Sequence, residues 1–237
     1  MFPSLSITLN DVVEPDSYLD GSPAPGLFIT ASGLISAASE AFANASVHTL
    51  VLQGEGRHFC TGLDLSDLAT LSDADLLLRL VRIETLLAML WHAPIRTVAQ
   101  AKGRTWGAGA DLLVACEQRL VGSDTTLRFP GAQFGLVLGT RRLAERIGAD
   151  AARALVLEGG ELDATQALAL GLASRITDSL ALAPLRTSGD TGRAVRAASR
   201  SDLRDADFHG RRKVPPKLKH AKEKRISRGH GTCSLGF

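Results

Sequence analysis

Two apolar runs constrain this chain more than any other feature. "HTLVLQGEG" (48–56) reads as a buried strand ending in glycines and "PIRTVAQAKG" (94–103) as another strand, and each passes into a segment of helical spacing. After the first comes "SDADLLLRLVRIETLLAMLWH", a long helix opened by a Ser or Asp cap and stopped before Pro94. After the second comes "GRTWGAGADLLVAC" (103–116), a Gly-rich turn that enters an apolar helix. Strand, helix, strand, helix predicts an α/β fold in one domain, its strands buried by helices. Upstream, "SITLN" alternates as a short strand does, and "ASGLISAASEAFAN" has helical spacing. Downstream, Gly148 separates the helical stretches "TRRLAERIG" and "ADAARALVLEGG", and Gly171 closes "DATQALALGL".

Composition narrows the class. The 237 residues are 45% hydrophobic and 22% charged, which suits a globular chain with one large core. No apolar run approaches the roughly 20 residues of a membrane span, and "MFPSLSITLN" lacks the basic start and apolar centre of a secretory signal. A cytoplasmic location is expected. Cys60, Cys116 and Cys233 share no metal-ligand spacing and cannot all pair, so no metal site is predicted and the first two read as core residues. From Arg186 onward, 14 Lys or Arg face 5 Asp or Glu, whereas the first 185 residues carry 13 against 20. The basic stretch lacks interleaved aromatics and any nucleic-acid motif, so it reads as a solvated helical tail. The charge change near "SLALAPLRTSGDTG" divides the chain into a core, 1–180, and a basic helical extension, 181–237.

Turns like "GRTWGAGAD" present bare backbone N–H groups to something negative. A dinucleotide fingerprint would require glycine where Leu112 stands. A P-loop would require Lys and Ser or Thr where Ala110 and Asp111 stand. Neither phosphate cradle fits.

"LVLQGEGRHFCTGLDLSDL" (50–68), "PIRTVAQAKGRTWGAGADLLVACEQRLV" (94–121) and the stretch from Gly135 to Ile176 together resemble, in order and spacing, the signatures of the crotonase superfamily, the enoyl-CoA hydratase/isomerase family. The resemblance implies a ClpP/crotonase fold, an α/β core of repeated ββα units in a superhelix with a C-terminal helical extension. It implies an acyl-CoA or acyl-phosphopantetheine substrate, with coenzyme A present only in the substrate thioester and no metal or redox cofactor. It also implies a homotrimer or a hexamer built as a dimer of trimers; composition and motifs, as above, give no expectation of a nucleic-acid or membrane partner.

Carried onto this chain, the family's oxyanion hole falls on the backbone amides of Leu63 and Ala108, with Gly62, Gly107 and Gly109 shaping the two loops. An enolate oxygen gains charge during reaction, and preorganised amides at a helix N-terminus stabilise it. Asp64 and Leu65 stand where the family loop wraps coenzyme A, although Asp64 also suits a helix cap. Trp106 is expected to line the acyl channel or to sit in the core.

The chain also departs from the pattern. Family hydratases use two carboxylates, tuned by a closed apolar pocket. At the first position stands Asp111, about 1.5 Å shorter in reach than Glu; a carboxylate in a helix's first turn is also stabilised by the dipole alone. At the second, after Pro130, stands Gly131. The glycine run between Gly139 and Arg142 is about three residues short. Two-carboxylate hydration is therefore not expected; a double-bond shift, a decarboxylation or an atypical hydration through a thioester enolate is, with Asp111 as proton shuttle. The alternative is a non-catalytic acyl-CoA-binding or assembly protein. His58 and His92 are weaker acid–base candidates, and Glu117, Arg141 and Arg142 read as surface or subunit-contact charges.

Overall fold

A computed structural model describes residues 4–9, 31–63, 72–180 and 182–199. The chain runs β1 (Ser4–Leu9), α1 (Ala31–Ala43), β2 (Thr49–Gly54), α2 (Asp73–Trp91), β3 (Arg96–Ala101), β4 (Arg104–Trp106), α3 (Ala108–Ala115), β5 (Gln118–Val121) and β6 (Thr126–Arg128). A 3₁₀ turn at Pro130–Phe134 then leads to α4 (Thr140–Ile147), α5 (Ala149–Glu158), β7 (Glu161–Asp163), α6 (Ala164–Ala169), β8 (Arg175–Ile176) and α7 (Gly189–Ser199). Two compact units divide this chain, residues 1–186 and 187–237, and α7 belongs to the second. Among the described residues no helix is long and apolar enough to cross a membrane.

The helices start where side chains satisfy their first N–H groups. Ser72 Oγ accepts the Asp75 N–H at 3.2 Å, and Asp73 and Asp75 place negative charge in the first turn of α2. Asp163 and Gln166 form a reciprocal capping box on α6, at 2.8 and 2.9 Å. Losing either cap costs about 1 kcal/mol.

A five-stranded sheet has the order β1-β2-β3-β5-β8, parallel throughout. A second sheet has the order β4-β6-β7, with β7 antiparallel. The chain visits both sheets in turn. From β2 it reaches Cys60, which bridges Thr105 beside the second sheet, and then α2; from β3 it passes to β4 and α3; from β5 to β6 and the helices beyond. This repeated ββα winding is the superhelix the resemblance implies, and α7 supplies a C-terminal helix.

Alternation along the strands builds two apolar layers. Leu50, Leu52, Ala99, Ala101 and Val121 join Phe59, Leu87, Leu90, Leu113 and Leu127 in the main core. Val51, Val98 and Leu120 face the other way, packed against Leu180 and Leu182. Truncating one of the fully buried leucines to alanine costs about 2–5 kcal/mol. The main core therefore fixes the segments that carry the loops after β2 and β4.

Candidate active site

Backbone hydrogen bonds lock the two glycine loops side by side. Phe59 N–H donates to the Lys102 carbonyl at 2.9 Å, Trp106 N–H to Cys60 at 3.0 Å, and Gly107 N–H to Arg128 at 2.9 Å. Gly107 takes φ +53°, a backbone region that L side chains avoid, and from it the chain turns directly into α3. Gly109 packs on the Cys60 carbonyl so closely that a Cβ there would overlap it. A Cβ on Gly62 would lie 3.5 Å from Ala108 N, so the Gly62–Leu63 segment abuts the start of α3. Ala108 is the first residue of that helix, where an N–H has no intrahelical acceptor.

These loops open onto a cavity of about 210 Å³. Gly62, Leu63, Gly107, Ala108, Asp111 and Gly131 all line it, so the fold brings together residues spread over 70 positions of sequence. Leu76, Leu80 and Ile83 of α2 form one apolar wall; Phe129, Phe134, Leu136 and Leu138 form another. Gly109 lies beneath the wall, against Cys60. Asp64 and Leu65 lie outside the described residues, as does Cys233.

Trp106 departs from the expected channel position. Along β4 the buried Thr105 points inward and Trp106 to the opposite face, where its indole N–H donates to Thr126 Oγ1 at 3.0 Å. The guanidiniums of Arg104 and Arg128 lie 5.0 and 5.9 Å from its ring centre. It is absent from the cavity wall.

Asp111 sits in the first turn of α3, its N–H donating to the Gly107 carbonyl at 3.0 Å. The carboxyl packs against Gly139, at the entry to α4. No hydrogen bond to this carboxyl occurs among the described residues. Burial raises its pKa to about 8, against an opposing pull from Arg142 and with a smaller push from Glu84. At neutral pH the group is mostly a neutral acid.

Arg142 corrects the surface reading. Its side chain is 14% exposed, and its fork holds Glu84 through Nη2–Oε1 at 2.6 Å and Nη1–Oε2 at 3.1 Å. Nothing local in the sequence announces this pair, which joins positions 58 residues apart. Arg141 is exposed and pairs with Glu145 one turn on, at 3.3 Å. His58 is buried, and its Nδ1 accepts the Arg104 N–H at 3.0 Å; His92 ends α2, exposed. Glu117 donates its backbone N–H to Thr97.

At the position after Pro130 the wall is backbone. Leu136 N–H donates to the Gly131 carbonyl at 2.9 Å, and a Cβ on Gly131 would lie 3.0 Å from the Leu136 carbonyl oxygen. Among the described residues no group of three or more His, Cys, Asp or Glu side chains is placed to hold a metal ion.

Residues 30–183 match the family model "Enoyl-CoA hydratase/isomerase". The chain belongs to the enoyl-CoA hydratase/isomerase family of the crotonase superfamily. A Mycobacterium leprae protein named a probable enoyl-CoA hydratase is 36% identical over 143 residues, 59% of this chain and 56% of that one. Gallus gallus ethylmalonyl-CoA decarboxylase is 33% identical over 127 residues, 52% and 43% of the two chains. The chain thus spans about half the length of the curated relatives it matches. A solved Bordetella parapertussis structure described under enoyl-CoA hydratase/isomerase is 31% identical, covers 97% of both chains and superposes with a TM-score of 0.72. A Bacillus anthracis enoyl-CoA hydratase, 20% identical with a TM-score of 0.65 over 84% of this chain and 86% of that one, shares the fold. Family members thus carry more than one reaction on this scaffold.

Proposed function

We propose that the chain is an acyl-CoA enzyme that holds a thioester carbonyl between the amides of Leu63 and Ala108 and moves protons with Asp111 alone. The observation that carries this reading is the placement of Asp111, which lines the same cavity as Leu63 and Ala108; burial, which raises its pKa to about 8, supports it. Charge that develops on the thioester oxygen meets N–H groups fixed by the backbone, one of them at the positive end of α3. A pKa near the working pH suits a group that gives and takes a proton.

Decarboxylation fits this arrangement best. The bond from the α-carbon to the substrate carboxylate breaks, carbon dioxide leaves, and the electron pair passes to the thioester oxygen. Asp111 then gives its proton to the α-carbon and regains one from water. No base is needed to make the enolate, and the apolar walls disfavour the charged starting carboxylate. The likeness to an ethylmalonyl-CoA decarboxylase supports this side of the reading. Hydration by two carboxylates is not part of it, because position 131 is glycine and Asp111 is the one titratable residue on the cavity wall among the described residues.

A double-bond shift is the second reading, and the same pKa favours it. At pH 7 roughly one Asp111 in ten is ionised and able to take an α-proton from a 3-enoyl thioester, returning it to the γ-carbon. The pH dependence separates the two. Decarboxylation slows as pH rises through about 8, whereas the shift accelerates.

A mass-spectrometric turnover screen against ethylmalonyl-CoA, methylmalonyl-CoA, a 3-enoyl-CoA, crotonyl-CoA and 3-methylglutaconyl-CoA tests the proposal, with Asp111→Asn alongside. Product that disappears in the variant supports it. Thioester binding without turnover of any substrate would replace it with a non-catalytic acyl-CoA-binding protein. Two further expectations are tested separately: light scattering of the preparation is expected to give the mass of three or six subunits, as the family implies, and fractionation of the source cells a cytoplasmic location. A single-subunit mass would overturn the first.

A further inference from the structure

Glu84 and Arg142 stand behind the cavity wall, and both charges bear on Asp111, the one titratable group on that wall among the described residues. The helix α2 gives Leu80 and Ile83 to the cavity and carries Glu84 beside them; α4 gives Thr140 and Leu143 and carries Arg142 between them. The bidentate contact therefore ties the two helices at the point where each meets the site. Arg142 is 14% exposed and Glu84 44%, and burying one charge of a pair costs hydration that its partner only offsets, so stability alone is a weak reason for it. Its position relative to Asp111 is more telling.

Among the other cations on the elements packed around α3, Arg79 of α2 is half-buried and Arg82 exposed, and Arg141 of α4 pairs with Glu145. Arg146 of α4 donates to the carbonyls of Val114 and Cys116 and lies 4.7 Å from the Trp91 ring centre. Arg104 of β4 lies over Trp106, and Arg96 of β3 donates to Thr49 and to the Ala183 carbonyl. Of the described residues, Arg142 favours an ionised Asp111 and Glu84 opposes it. The Arg142 fork has both terminal nitrogens on Glu84.

We propose that Glu84 and Arg142 are a pair of positioning residues for the proton on Asp111: by holding the guanidinium fork, Glu84 denies Asp111 a direct cationic partner and so adds to the burial that keeps its carboxyl protonated for transfer. The pair thus sets the protonation state without touching substrate. The proposal deepens the reading of Asp111 as proton carrier and rests on it for its functional meaning.

The two residues act in opposite senses, which a merely structural tie would not do. The full chain labelled with ¹³C at the aspartate carboxyl carbon is titrated by NMR, with the Asp111 signal assigned by its loss in Asp111→Asn. The midpoint is expected near pH 8 in the parent, lower in Glu84→Gln, higher in Arg142→Met, and back toward the parent in Arg142→Lys. Midpoints that stay put, or that move the same way in Glu84→Gln and Arg142→Met, overturn the proposal. Glu84 is 44% exposed, so Glu84→Gln alone suffices should Arg142→Met fail to fold; a midpoint that does not fall in that variant is then decisive. The pH profile of turnover, measured in parallel, separates the two ideas. If the midpoints move as stated and the turnover profile does not follow, the role of Glu84 and Arg142 stands and Asp111 is not the proton carrier.

Discussion

The carboxyl of Asp111 rests directly on the α-carbon of Gly139, the residue that caps α4 at φ +67°. A methyl group at 139 would occupy the space of Asp111 Oδ1. Gly139→Ala is therefore expected to displace the acid more than it unsettles the fold. Its backbone cost is about 1–2 kcal/mol, whereas moving a reacting group by about 1 Å costs on the order of 100-fold in rate. Measured kcat should fall by about that factor while the melting temperature drops by only a few degrees; an unchanged kcat would place the reacting proton elsewhere.

Gly109→Ala is expected to strike the fold instead. The new methyl would overlap the Cys60 carbonyl, which is backbone and cannot rotate away. Overpacking of this kind costs about 1–3 kcal/mol, and it would separate the loops that carry Leu63 and Ala108. Chemical denaturation should show a lower midpoint with an unchanged slope.

Asp111 also makes stability depend on pH, in the sense opposite to a salt-bridged carboxylate. The folded chain keeps this proton to about pH 8, whereas an unfolded chain releases it near 3.8. Between these values the folded state binds the extra proton, so stability falls as pH rises, at most by about 1.4 kcal/mol per pH unit. Above pH 8 the loss is complete. Asp111→Asn removes it, so the variant's advantage in melting temperature over the parent should widen from pH 4 to 8 and then level off. An advantage that narrows over that range would contradict the buried, unpaired carboxyl.

Gly131→Glu restores the family's second carboxylate by name and is not expected to restore hydration. The side chain would start 3.0 Å from the Leu136 carbonyl oxygen, on a turn closed by the Leu136 N–H. Crotonyl-CoA hydration should stay at background in a spectrophotometric assay. Brisk hydration would mean that the loop yields readily.

Although β5, of four residues, and β8, of two, do not stand out, β1, β2 and β3 of the large sheet were legible from their apolar patterning and α2 from its Ser72 cap. The second sheet was not. Its strands β4, β6 and β7 have three residues each, too few for alternation to register against noise. Trp106 could not be assigned a face for that reason: once β4 exists, Thr105 takes the inward position and Trp106 the outward one. The assignment of the Leu63 and Ala108 amides came from the family resemblance, and both residues line one cavity. Glu84 and Arg142 could not be paired from sequence, because charges on two separate helices meet only after both have packed against α3.

The most direct test of the account is Ala108→Pro. Ala108 is the first residue of α3, where proline's fixed φ is compatible with a helix and its missing N–H takes nothing from the helical ladder. The substitution removes one proposed oxyanion donor, puts the ring Cδ where that N–H pointed, and leaves Asp111 and the helix in place. Loss of such a donor corresponds to about 10²–10³ in kcat. A fall of about that size in a variant that still melts cooperatively is the predicted result; full activity in a folded variant would contradict the role assigned to that amide.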